Sequence, residues 1–155
     1  YATLHADSAA ETISRLVNPP LNVPPNLLKA VNLNVVMFRD RRKGIRRVLQ
    51  IAEYETGKDS ARANILYRWV REEDKIKSHS ESSRFFEDIS RNTGMSDSEI
   101  RKEIDEKKKI LLWLIKNGIR NLESVGKIIS FYYRNKELLF RAMSNNDVNL
   151  ILAGR

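Results

Sequence analysis

The sequence contains no cysteine. Disulfides, thiolate catalysis and cysteine-based zinc or iron–sulfur sites are therefore excluded. Only two histidines occur, His5 and His79, and they lie too far apart in sequence to offer a metal-ligand spacing. His5 and Asp7 make two ligands at most, too few for a metal site, so none is expected. Glycine is scarce, six in all, and none falls in the pattern GxxxxGK[ST] that wraps backbone amides around phosphates. No Ser–His–Asp context and no pair of carboxylates in an apolar setting is present. The longest unbroken apolar run, Ile110 to Ile115, is far short of the roughly 20 residues that span a bilayer. The opening residues, Tyr1-Ala2-Thr3-Leu4-His5, have no basic segment of the kind that begins a secretory signal. They include no initiator Met, and the apolar start at Tyr1 leads to the expectation that the chain is a piece of a longer polypeptide.

What is present suits a folded protein. The 155 residues are enough for one domain or two small units, with 41% apolar and 31% charged residues. The net charge is +8. Residues 1–79 carry 14 basic and 9 acidic groups, and residues 80–155 carry 14 and 11, so the excess is spread over both halves. Such a surplus is compatible with nucleic acid, an acidic membrane surface, an anionic ligand such as ATP, or a merely solvated surface.

Two regions differ in pattern. In residues 1–79 the reading is mixed. Tyr1 to Leu4 reads as the end of a strand. Helical spacing follows from Ser8 to Val17, capped by Asp7 or Ser8 and stopped by Asn18-Pro19-Pro20. Pro24-Pro25 can open a short helix carrying Leu27, Leu28 and Val31. Val35 to Phe38 predicts a strand buried on both faces. Arg41 to Gly44 reads as a turn into a second strand, Ile45 to Glu55. Asn64 to Val70 alternates, with Ile65, Tyr67 and Trp69 on one side, and Glu72 to Asp74 can turn back into Lys75 to Lys77. From Ser80 the period changes to that of a helix. Ser83 to Arg91 ends at Gly94, and Ser96 with Glu99 forms a capping box. The helix Asp97 to Asn117 places Ile100, Ile104, Leu111 and Ile115 on one stripe. Leu122 to Tyr133 and Lys136 to Met143 complete the set, and the tail from Asn145 is either frayed or docked.

Three constellations invite function. His5 sits in Thr3-Leu4-His5-Ala6-Asp7-Ser8, at a strand-to-helix junction, where α/β folds gather phosphate ligands. The plainer account is that Asp7 or Ser8 caps the helix and His5 is a solvated loop residue. Arg39, Arg41, Arg42, Lys43, Arg46 and Arg47 form the densest basic patch, and arginine forks suit phosphate and carboxylate. The plainer account is a hairpin tip blunted by charge. The helices flanking Gly118 have a helix-turn-helix outline, but Asn121, Glu123, Ser124 and Lys127 make a poor recognition face. Lys107-Lys108-Lys109 alternates in context with Glu103, Asp105 and Glu106 and reads as a solvated face with i,i+4 pairs.

Thr3-Leu4-His5-Ala6-Asp7-Ser8, then Glu11-Thr12-Ile13-Ser14-Arg15-Leu16, then Asn18-Pro19-Pro20-Leu21-Asn22-Val23-Pro24 resembles the archaeal branch of the type II/type IV secretion ATPases, which includes the archaellum motor. The resemblance runs on through Val35-Val36 and the basic hairpin to Ile51-Ala52-Glu53. It includes Tyr67-Arg68-Trp69, where Val70 stands in place of the family's usual Asp. It is specific over about residues 1–75 and loose beyond. It implies an α/β plus all-α chain. Residues 1–79 would be the C-terminal half of a RecA-like ATPase core, and residues 80–155 a helical C-terminal domain. His5 would face the terminal phosphate of the nucleotide, Asp7 and Ser8 would shape that junction, and Arg15 would support it. The parent would be a hexamer hydrolysing ATP with Mg²⁺ to drive secretion or pilin assembly. It would sit in the cytoplasm against a membrane platform protein and touch neighbouring subunits. The phosphate loop and acidic boxes of that family lie upstream of the His5 motif. The isolated chain is thus expected to bind ATP weakly or not at all and to need no cofactor. Exposed strand edges would let it dimerise, and no specific nucleic acid is expected. The alternative is a standalone basic nucleic-acid-binding or adaptor module.

Overall fold

In the computed structural model, residues 2–152 are described. They fall into two compact units, divided between Met95 and Ser96.

The first unit is a sheet with helices on it. Helix α1 (Ala9–Val17) starts where Ser8, in extended backbone, accepts a hydrogen bond from the Glu11 amide, which satisfies one orphan donor of the first turn. Asn18 and the two prolines stop it. A 3-10 helix (Pro25–Ala30) follows, opened by proline. Four strands come next: β1 (Asn34–Asp40), β2 (Ile45–Thr56), β3 (Ala61–Val70) and β4 (Lys75–Ser78). They pair in the order β1-β2-β3-β4, antiparallel throughout. In the first turn Asp40 accepts the amides of Arg42 and Lys43, and Gly44 takes the left-handed conformation at φ 64° that glycine adopts without strain. One core forms where Ala9, Ile13 and Leu28 pack against Val36, Ala52 and Tyr54.

Several local expectations change. Tyr1 lies outside the described residues, and residues 2–6 form no strand, since none of the four strands pairs with them. Strand β1 is not buried on both faces. It is the sheet's edge, with Val36 buried and Val35 and Met37 exposed. In β3 a bulge leaves Leu66 without an opposing residue, between Ile65 facing Ala52 and Tyr67 facing Ile51. That breaks the alternation, so Leu66 is buried while Tyr67 is exposed.

Helix α2 (Phe85–Thr93), ended by Gly94 at φ 74°, belongs to the same unit as the sheet. The expected boundary at residues 79/80 follows the change of periodicity, whereas the compact unit extends to Met95. The physical reason is Glu53. It alternates with Ala52 and Tyr54 along β2 and so points to the opposite face, where it ties residues 82–85 to the sheet.

The second unit is helical. Helix α3 (Asp97–Lys116) carries the capping box of Ser96 and Glu99. Helices α4 (Leu122–Arg134), α5 (Lys136–Ser144) and the short α6 (Asn149–Leu152) follow. Ile110, Trp113 and Leu114 pack with Ile128, Tyr132, Leu139, Ala142 and Ile151. Ile100 is buried as expected, but Ile104, Leu111 and Ile115 of the predicted stripe are exposed. The run from Ile110 to Ile115 is apolar all round, so periodicity could not choose its inner face. Part of the tail docks through Ile151, and residues 153–155 lie outside the described residues. Among the described residues no helix is long and apolar enough to cross a membrane.

Candidate functional site

The junction before α1 is built by Glu11. Its carboxylate accepts the Asp7 amide at 2.7 Å through one oxygen and the Arg15 guanidinium through the other. The Asp7 hydrogen bond, then Arg15, holds the Glu11 carboxyl below its ordinary range. The Ala9 amide donates to the side chain of Gln50 at 3.1 Å, and Gln50 is 8% exposed on β2. Thus Asp7, Ser8 and Arg15 are brought together, with Glu11 as the hub. Ser8 acts as the cap and Arg15 as the partner of Glu11, both already engaged. His5 stands apart: its side chain is exposed and has no partner among the described residues.

A cavity of about 480 Å³ opens beside this junction, with Ile13, Ala63 and Ile65 as its apolar lining and Ser8, Gln50, Arg62 and Arg68 as its polar groups. Arg62 is paired with Glu55. Arg68 has no ion-pair partner among the described residues and leaves the cavity cationic. Gln50 and Arg68 escaped sequence reasoning. They sit among strand residues of no distinctive spacing, and only the pairing of Gln50 with Arg68 across β2 and β3 joins them.

ATP and its Mg²⁺ can be tested against these groups. Asp7 has the sign of a phosphate and cannot bind one directly. Ser8, Ala9 and Glu11 are occupied by the cap. Among the described residues the His5 side chain has no partner at the helix start. These residues therefore fit one contact to a terminal phosphate and not a complete nucleotide cradle. Among the described residues no cluster of three His, Asp or Glu side chains could hold a metal ion.

Glu53 is the most enclosed charged group, 1% exposed. It accepts from Asn64, from the hydroxyls of Ser82 and Ser83, and from the amides of Ser83 and Phe85. Burial alone would push its carboxyl up. The Ser83 amide, Asn64 and the two serine hydroxyls outweigh that and hold it at about 2. With every oxygen engaged, Glu53 fastens the chain rather than waiting for a substrate proton.

Several charged side chains elsewhere are paired. In the second unit Glu106 accepts from Tyr132 at 2.8 Å and pairs with Lys136. Burial and the Glu106 charge push the Tyr132 hydroxyl well up. Lys107 pairs with Glu103 four residues back, as the charge pattern suggests. On the helix-turn-helix outline, Asn121 caps α4 by accepting the Ser124 amide, and Glu123 pairs with Lys127. Three of the four groups a DNA groove would need are already committed. The basic hairpin gathers its unpaired cations within a few residues. Arg47 is bound by Asp74, while Arg39, Arg41, Arg42, Lys43 and Arg46 have no ion-pair partner among the described residues.

No family model matches the chain. It is 35% identical over 146 residues to the uncharacterized protein MJ0781 of Methanocaldococcus jannaschii, a match covering 91% of this chain and 20% of that protein. It is 30% identical over 135 residues to the uncharacterized protein MJ1287 of the same organism, covering 84% of this chain and 50% of that protein. The chain thus spans half or less of the length of these two relatives.

Proposed function

We propose that this chain is the C-terminal portion of a hexameric secretion or pilus-assembly ATPase, which couples ATP hydrolysis to protein secretion or pilin assembly. One observation carries the reading. In a motif that resembles the family's at residues 3–8, His5 is left exposed and unengaged at the start of α1, while the cap around it is self-contained. A phosphate sensor needs that combination: a fixed backbone and a free donor. On this reading the antiparallel sheet is the outer part of a RecA-like core and the helical unit is its C-terminal domain. His5 contacts the terminal phosphate, Asp7 and Ser8 hold the junction, and Mg²⁺ is bound by residues outside this chain. The neighbours are further subunits of the ring and a membrane platform protein, with the assembly in the cytoplasm against the membrane. The two relatives are longer than this chain.

The test begins with the reading frame upstream of Tyr1. A GxxxxGK[ST] loop followed by acidic boxes is expected there. In the protein expressed from that frame, His5→Ala is then expected to lower ATP turnover by roughly 100-fold, the order seen when one donor to a developing charge is removed, with folding unchanged. A frame without the loop, or a His5→Ala protein with undiminished turnover, refutes the assignment.

A further inference from the structure

The free cations of the hairpin are arranged at a cost. Arg39 on β1 lies directly opposite Arg46 on β2, and like charges so placed are destabilising. Arg41, Arg42 and Lys43 fill the turn between them. The acids nearby do not neutralise this group. Asp40 accepts the turn amides and keeps its charge, which offsets one of these cations at most. Asp74 is bound to Arg47 and Trp69, and Glu73 to Lys77, while Glu72 has no partner among the described residues. Arg71 lies over the rings of Phe38 and Trp69 and adds to the same end of the sheet.

Apolar side chains adjoin this tip. The exposed positions of β1 are Val35, Met37 and Arg39, alternating with the less exposed Val36, Phe38 and Asp40. Val35 is 51% and Met37 61% exposed. One edge of the hairpin therefore presents two apolar side chains leading into five unpaired cations. That ordering matches the gradient at a membrane interface, where acyl chains meet anionic headgroups. It fits nucleic acid less well. Val35 and Met37 offer no ring for a base to stack on, and Phe38 and Trp69 already hold Arg71. A second copy on this edge would bring its own five cations against these.

We infer that the β1–β2 hairpin is a docking surface for an anionic lipid bilayer, with Arg39, Arg41, Arg42, Lys43 and Arg46 on the headgroup phosphates and Met37 and Val35 at the acyl boundary. This inference stands on the hairpin alone and is independent of the ATPase reading. The experiment is co-sedimentation of the full chain with vesicles of phosphatidylcholine, with and without phosphatidylglycerol, at low and high salt. Binding is expected only to the vesicles containing phosphatidylglycerol and is expected to weaken with salt. Each cation near the surface contributes about fivefold, so R39Q/R41Q/R42Q/R46Q is expected to weaken binding by roughly several hundred-fold. The turn variant R41E/R42E, which leaves both strands intact, should abolish it. V35S/M37S should remove the part of the binding that survives high salt. Failure of the unsubstituted chain to sediment with phosphatidylglycerol vesicles overturns the inference, as does equal binding by R41E/R42E. Displacement from the vesicles by a lower concentration of duplex DNA than of free phosphatidylglycerol overturns it in favour of nucleic acid.

Discussion

Replacing Glu53 by Gln would keep the volume of the side chain while removing its charge and one acceptor oxygen. Five donors converge on that carboxylate. Its folded-state value of about 2 lies below the ordinary 4.5, so its contribution is complete above the unfolded value and is lost as pH falls toward 2. That lowering sets an upper limit of about 3 kcal/mol. Amide exchange at Ser83 and Phe85 is therefore expected to accelerate as pH drops from about 5 to about 2, after correction for intrinsic rates. Glu53→Gln should show fast exchange at both extremes. A protection factor that is flat with pH in the unsubstituted chain would contradict this. Nothing in the pattern of β2 marks Glu53 as different from any solvated strand carboxylate. Its role depends on Asn64, 11 residues on, and Ser83, 30 residues on.

For single elements, caps and faces separate cleanly. A cap at Asp7 or Ser8, of which the structure uses Ser8, and the Ser96–Glu99 capping box were legible in the sequence because a cap is a matter of four consecutive residues. Ser8→Ala is expected to destabilise the first unit by about 1 kcal/mol in chemical denaturation, and no effect would mean that Gln50 and Glu11 hold the helix start without it. The inner face of α3 was not legible. Ile110 is fully buried and Ile115 is 63% exposed, although both lie in one apolar run. Ile110→Ala should cost about 2–5 kcal/mol. Ile115→Ala should stay within about 1 kcal/mol, since little area is removed from water in the first place. Equal costs would mean that the exposed stripe is covered in solution.

For the whole chain, the missing phosphate loop dominates. Calorimetric titration of the isolated chain with ATP and Mg²⁺ is expected to give no stoichiometric binding, because one exposed imidazole cannot replace a backbone nest and its lysine. Stoichiometric turnover would refute that. Self-association through strand edges has opposing terms. Strands β1 and β4 are both free edges, but Lys75 and Lys77 lie on β4 and the arginine tip ends β1. Light scattering should find little dimer at low salt and more near 1 M salt, where the Debye length falls to about 3 Å. A dimer that is strongest at low salt would mean that the cations are paired across the interface.

The sequence by itself determined the order of elements from Ser8 to Met143, the helix caps, the hairpin turns and the charge surplus, because each depends on residues within a few positions of one another. It also determined what is absent: thiols, a phosphate loop and an apolar span. Only the tertiary structure decided that β1 is an edge, that Leu66 rather than Tyr67 turns inward at the bulge, and that Glu53 carries the first unit past residue 80. It decided too that Glu11 and Gln50 occupy the helix start while His5 and the hairpin arginines stay free. Those outcomes depend on which distant group arrives to accept a proton or cover a face, and local periodicity holds no record of that.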